Sequence, residues 1–155
     1  MKIKSFLAKP FASIIHRQIK KGMLSAVEDQ QRIFQELIKS ATKTDFGKEH
    51  GFDKIKSHKD FINYVPIRDY EKFKDYIEKI KSGKHNVLWK GTPIYFAKTS
   101  GTTSGVKYIP ITKESIPNHI NTARNALLCY MAESGNAQFA NGKLIFLSEI
   151  GRAHV

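Results

Sequence analysis

The stretch that most constrains the fold lies between residues 93 and 112. Two strand-like segments, Pro93-Ile94-Tyr95-Phe96-Ala97 and Tyr108-Ile109-Pro110-Ile111-Thr112, flank a loop rich in glycine and hydroxyl groups. From Thr99 to Lys107, five of nine residues are Thr or Ser, two are Gly and one is Lys. Glycines let a backbone approach a phosphate closely and turn its N–H groups inward. The hydroxyls add donors and the lysine adds positive charge, so the composition describes a cradle for a polyphosphate. A flexible Ser/Thr/Gly linker is the bland alternative, but a linker has no need to end in Lys or to sit between apolar strands.

Two familiar phosphate motifs fail here. A Walker A loop needs four residues between its glycines, then Lys and Ser/Thr, then a helix. Gly101 and Gly105 are separated by three residues, Val106 precedes Lys107, and β-prone residues follow. The dinucleotide fingerprint is also absent, because no G-x-G occurs.

Downstream, Ile116, Ile120, Ala123, Leu127 and Met131 recur at helical intervals, and Gly135 ends the run. Asn141-Gly142 reads as a turn, and residues 143–148 read as a strand buried on both faces. Residues 93–148 are therefore expected to run strand, glycine loop, strand, helix, strand, the start of an α/β domain.

Residues 1–92 read as a helical region. Ile3, Leu7, Phe11, Ile14, Ile15 and Ile19 form an apolar stripe, with Pro10 a point for a kink or split. A second helix is expected from about Ser25 to Ala41, with Val27, Phe34, Ile38 and Ala41 on one side. Asp45-Phe46-Gly47 and His50-Gly51-Phe52 read as loop. Ser57 to Asp60 has the form of a capping box. Asp69 then suits an N-cap, Tyr70, Phe73, Ile77 and Ile80 mark a helix, and Gly83 suits its C′ position.

Composition narrows the function classes. With 41% hydrophobic residues and ten Phe, the chain is too apolar for intrinsic disorder. No apolar run approaches the roughly eighteen residues of a membrane span. The single cysteine, Cys129, excludes a disulfide framework and a multi-cysteine zinc site, and a reducing, cytoplasmic setting is expected. Cys129 itself is expected as packing in the long helix. The net charge of +12 invites a nucleic-acid or membrane-surface reading. Half of that excess sits in residues 1–27, with six Lys/Arg and no acid, and the rest is Lys mixed with Asp and Glu as on solvated helix faces. No nucleic-acid partner is therefore expected. The basic start lacks the h-region of a secretory signal and is too poor in Arg for a typical transit peptide, so it reads as the first helix of the fold.

Thr99-Ser100-Gly101-Thr102-Thr103-Ser104-Gly105-Val106-Lys107 resembles the phosphate-binding signature of the adenylate-forming superfamily, although Val106 stands where most members have Pro. The flanks are similar to one branch, the auxin-responsive Gretchen Hagen family of acyl acid–amido synthetases. They are Val65-Pro66-Ile67 leading into Tyr70-Glu71, Tyr76-Ile77, Phe96-Ala97-Lys98 and Lys107-Tyr108-Ile109-Pro110, with Asp45-Phe46-Gly47 and the helical preamble. The resemblance covers about residues 1–148. It implies an ATP-dependent ligase that converts a carboxylic acid to an acyl-adenylate and then to an amide with an amino acid, with Mg²⁺ as cofactor. It further implies that Ser100, Thr102 and Thr103 donate to phosphate oxygens. Thr99 and Ser104 complete the hydroxyl set, Gly101 and Gly105 shape the loop, and Lys107 supplies charge or anchors it. A coenzyme A ligase of the same superfamily is the close rival.

Against the family's length, the chain reads as an N-terminal piece. The later adenine- and ribose-binding motifs and the acidic metal residue have no counterpart in it, and none of Glu114, Glu133 or Glu149 is assigned to metal. His16, His50, His58, His85 and His119 read as surface or packing residues. Ile150-Gly151-Arg152-Ala153-His154-Val155 matches the translation of a common sequencing-adapter start, so residues 149–155 are expected to be a non-native tail.

Overall fold

The computed structural model describes residues 3–99, 105–143 and 150–152. It is an α/β structure, rich in helix, with one small antiparallel sheet. Two compact units are present: residues 1–29 with 114–148, and residues 30–113 with 149–155. Among the described residues, no helix is long and apolar enough to cross a membrane.

The first unit pairs α1 (Ile3–Gly22) with α6 (Ile116–Ser134). Pro10 lies within α1 and does not split it. Only part of the apolar stripe expected on α1 packs: Ile15 joins the core and Ile19 is half-buried, but Leu7, Phe11 and Ile14 face outward. Leu7, Phe11 and Ile14 are 63%, 47% and 55% exposed, whereas Ala12 is 0% exposed and Ala8 and Ile15 pack beside it. Small residues let the two helices approach closely, and Leu128, Met131 and Ala137 complete this cluster. On α6 the expected stripe is likewise borne out in part: Met131 is buried and Ile116 and Leu127 are half-buried, whereas Ile120 and Ala123 are exposed and Cys129 is only partly buried. Gly135 adopts φ +67 at the C-cap, as its position after the apolar run predicts, and its N–H donates to the Met131 carbonyl.

The second unit is built on an aromatic core. After α2 (Ala26–Ala41), the segment read as loop contains a short helix, α3 (Asp45–Glu49), and a 3-10 turn at Phe52–Lys54. Thr44 is the reason for α3: its hydroxyl accepts from the Gly47 N–H at the N-cap. Phe46 thereby enters the core, edge-on to Phe52 and Tyr76 and stacked on Phe73 and His50. The capping box of α4 (His58–Tyr64) forms as predicted, with Ser57 and Asp60 reciprocally bonded. Asp69 Oδ1 accepts from the Lys72 N–H and opens a 3-10 turn at Glu71–Phe73, which leads into α5 (Lys74–Lys81). Gly83 follows at φ +87.

The two strands flanking the glycine loop are β1 (Tyr95–Thr99) and β2 (Lys107–Ile111), set slightly differently from the expected bounds. They pair antiparallel, and β3 (Ile150–Arg152) pairs antiparallel on the other side of β1, giving the order β2-β1-β3. Pro110 is tolerated because β2 is an edge strand. Phe96 plants β1 in the aromatic core. Of the strand expected over 143–148, residues 144–148 lie outside the described residues.

Candidate functional site

The candidate site is the mouth of the β1–β2 hairpin. Antiparallel pairing places Thr99, the last residue of β1, directly across from Lys107, the first of β2. The loop's first hydroxyl-bearing residue and its terminal lysine are thus cross-strand partners at its base, seven intervening residues apart in sequence. Gly105, two residues before Lys107, takes φ +77. A side chain there would be strained, although no atom lies within 4 Å of where its Cβ would be. Ser100, Gly101, Thr102, Thr103 and Ser104 lie outside the described residues.

Lys107 lies against one aromatic ring. Its Nζ lies 5.7 Å from the centroid of the Tyr70 ring, while the Tyr70 hydroxyl accepts the backbone N–H of Tyr108 at 2.8 Å. A π face orients an ammonium without neutralising it, as a carboxylate would. One residue on, the Tyr108 ring packs edge-on to Phe96 and carries Lys81 Nζ 4.8 Å from its centroid. Lys81 is also bonded to Glu78 at 2.9 Å, and that bond pushes its ammonium up from the ordinary lysine value. The hairpin is therefore pinned to the start and end of the 70–81 helical segment.

Behind it, a buried polar group fixes the segment that leads into Tyr70. His50 Nδ1 bonds the Phe46 carbonyl at 2.8 Å, and Arg68 Nη2 bonds His50 Nε2 at 2.7 Å. A carbonyl only accepts and a guanidinium only donates, so the imidazole carries its proton on Nδ1. Arg68 also lies over the Phe46 ring, 5.8 Å from its centroid. The Tyr76 hydroxyl donates to Glu49, and burial, followed by that carboxylate, raises the phenol above its ordinary value. His50 thus has a packing role, as the sequence reading expects. The Tyr70, Arg68 and Lys81 contributions were not legible: Tyr70 and Tyr108 are 38 residues apart, and no local periodicity marks such a pair.

The base of the loop thus brings together one cation-bearing residue, one hydroxyl-bearing residue and a glycine at positive φ. Among the described residues, no group of three His, Cys, Asp or Glu side chains could hold a metal ion. A comparison with curated proteins gave no match. Residues 15–153 do match the family model described as the GH3 family N-terminal domain, nearly the whole chain. The hairpin that holds Thr99, Gly105 and Lys107 and the aromatic segment that pins it both fall within that span, and the chain belongs to the Gretchen Hagen 3 family of acyl acid amido synthetases.

Proposed function

We propose that the chain is the N-terminal part of an ATP-dependent ligase, in which the β1–β2 loop binds the ATP phosphates. In the reaction a carboxylate oxygen attacks the α-phosphorus of ATP, the bond to pyrophosphate breaks, and an acyl-adenylate forms. The amine of an amino acid then attacks the acyl carbon, an amide forms, and AMP leaves. The observation that carries this reading is Lys107 on a π face, opposite Thr99 and beside an open Gly105, in a chain of this family. As pyrophosphate departs, negative charge builds on its oxygens. A preset ammonium and hydroxyl stabilise that charge without reorganising. Mg²⁺, when bound, supplies further charge neutralisation; no residue of this chain is assigned to hold it. Ser100, Gly101, Thr102, Thr103 and Ser104 belong to the same proposed cradle.

The test is acid-dependent ATP–pyrophosphate exchange by the ligase that contains this segment. Lys107→Ala is expected to lower the exchange rate by roughly 100-fold, the usual cost of removing one preorganised donor. Exchange at the wild-type rate in that variant overturns the assignment. An amide product supports the amino acid acceptor, whereas a thioester with coenzyme A points to the rival ligase class. Salt-sensitive binding to nucleic acid that survives Lys107→Ala, with no exchange in the wild type, favours a basic binding module.

A further inference from the structure

We infer that Tyr70 is a positioning residue for the loop, acting on Lys107 in two ways at once. The inference rests on the ligase reading for its functional meaning but on geometry for its existence. The Tyr70 hydroxyl accepts the Tyr108 N–H at 2.8 Å, which fixes the backbone immediately after Lys107. The Tyr70 ring lies 5.7 Å from Lys107 Nζ, which limits where the ammonium can point. One side chain therefore sets both the start of β2 and the direction of its first residue.

An edge strand needs such a device. The N–H of Tyr108 receives a side-chain acceptor, so this part of β2 is anchored from outside the sheet. Tyr70 can serve as an anchor because its own segment is fixed on both sides. Its carbonyl accepts the Phe73 N–H at 2.9 Å, Asp69 caps the turn through the Lys72 N–H, and Arg68 is bonded to His50. The ring, hydroxyl and backbone of Tyr70 each have a defined partner, and two of the three lead to the loop.

The two contributions separate by substitution. Tyr70→Phe keeps the ring under Lys107 and removes the acceptor for the Tyr108 N–H. Tyr70→Leu removes both. In the 155-residue chain, hydrogen exchange at the Tyr108 amide is expected to quicken about fivefold in Tyr70→Phe, the usual net worth of one hydrogen bond. In the ligase, Tyr70→Phe is expected to raise KM for ATP with kcat little changed, whereas Tyr70→Leu is expected to lower kcat as well, because the ammonium loses its seat. A purely structural Tyr70 would lower thermal stability in both variants, quicken the Tyr108 amide no more than other amides of the same unit, and leave KM for ATP at its wild-type value; that result overturns the inference. If the wild-type ligase shows no pyrophosphate exchange, the ligase reading fails, and the amide measurement alone then decides whether Tyr70 anchors the strand.

Discussion

A Cβ on Gly47 would lie 2.0 Å from the Ala41 carbonyl oxygen and 2.9 Å from its carbon. Both are backbone atoms, so no side-chain rotation relieves the contact. The same Ala41 oxygen accepts the Thr44 hydroxyl at 2.7 Å and the Thr44 N–H at 3.0 Å, and the Thr44 oxygen accepts the Gly47 N–H at 3.0 Å. Backing Gly47 away would therefore pull on the cap that seats Phe46. Gly47→Ala is expected to destabilise the chain by about 3 kcal/mol, from overpacking and strained hydrogen bonds together. Urea unfolding measures this, and an unchanged midpoint would contradict the geometry. None of this corner was legible in the sequence. Asp45-Phe46-Gly47 looks like a loop because a five-residue helix is too short to register a period, and the clash depends on a carbonyl six positions back.

At the scale of elements, periodicity found the helices but not always the side that packs. Helix α1 has two apolar faces, one of large residues at 7, 11 and 14 and one centred on Ala8, Ala12 and Ile15. The stripe counted from sequence spans both, taking Leu7, Phe11 and Ile14 together with Ile15. Packing selects the second, because alanine at the crossing admits α6 closely and a phenylalanine there would not. Ala12→Phe is accordingly expected to cost about 1–3 kcal/mol by overpacking, while Phe11→Ser stays within about 0.5 kcal/mol. The comparison of the two melting temperatures decides which face is buried; a larger loss from Phe11→Ser would mean that the face of Leu7, Phe11 and Ile14 packs instead. Terminal signals were more reliable than faces. Ser57 with Asp60, Gly83 and Gly135 each sit where the sequence places a cap, since a cap depends on only a few neighbouring residues. The candidate site divides along the same line. Its loop is contiguous and so could be recognised whole, whereas Tyr70 and Lys81, which contact the start of β2, come from another part of the chain and only the fold joins them to it.

Across the whole molecule, charge sets the response to acid. The chain carries +12 at neutral pH, and three of its carboxylates are held below their ordinary range by partners in the folded state. Asp45 is lowered chiefly by its bond with Lys84, Asp60 by the Ser57 hydroxyl and neighbouring N–H groups, and Glu133 by Lys20 and then His16. Asp45 and Asp60 belong to the second unit and Glu133 to the first, so both units are affected. A carboxylate whose folded pKa is depressed contributes stability that is present above its unfolded value. That stability is lost as pH falls through the lower, folded value. Unfolded carboxylates titrate near pH 4, so the melting temperature is expected to hold between about pH 7 and 5 and to fall progressively below about pH 4. Protonation also removes negative charge from an already cationic chain, and the growing self-repulsion acts in the same direction. Asp45→Asn tests the specific part of this. It removes the charge that Lys84 meets at 2.6 Å, so the variant should be slightly less stable at pH 7 and should lose less on acidification than the wild type. Parallel melting curves at pH 7 and pH 3 for the two proteins read out that difference. Equal losses would mean that the Asp45–Lys84 pair contributes nothing to acid sensitivity, and that repulsion among the lysines carries it instead.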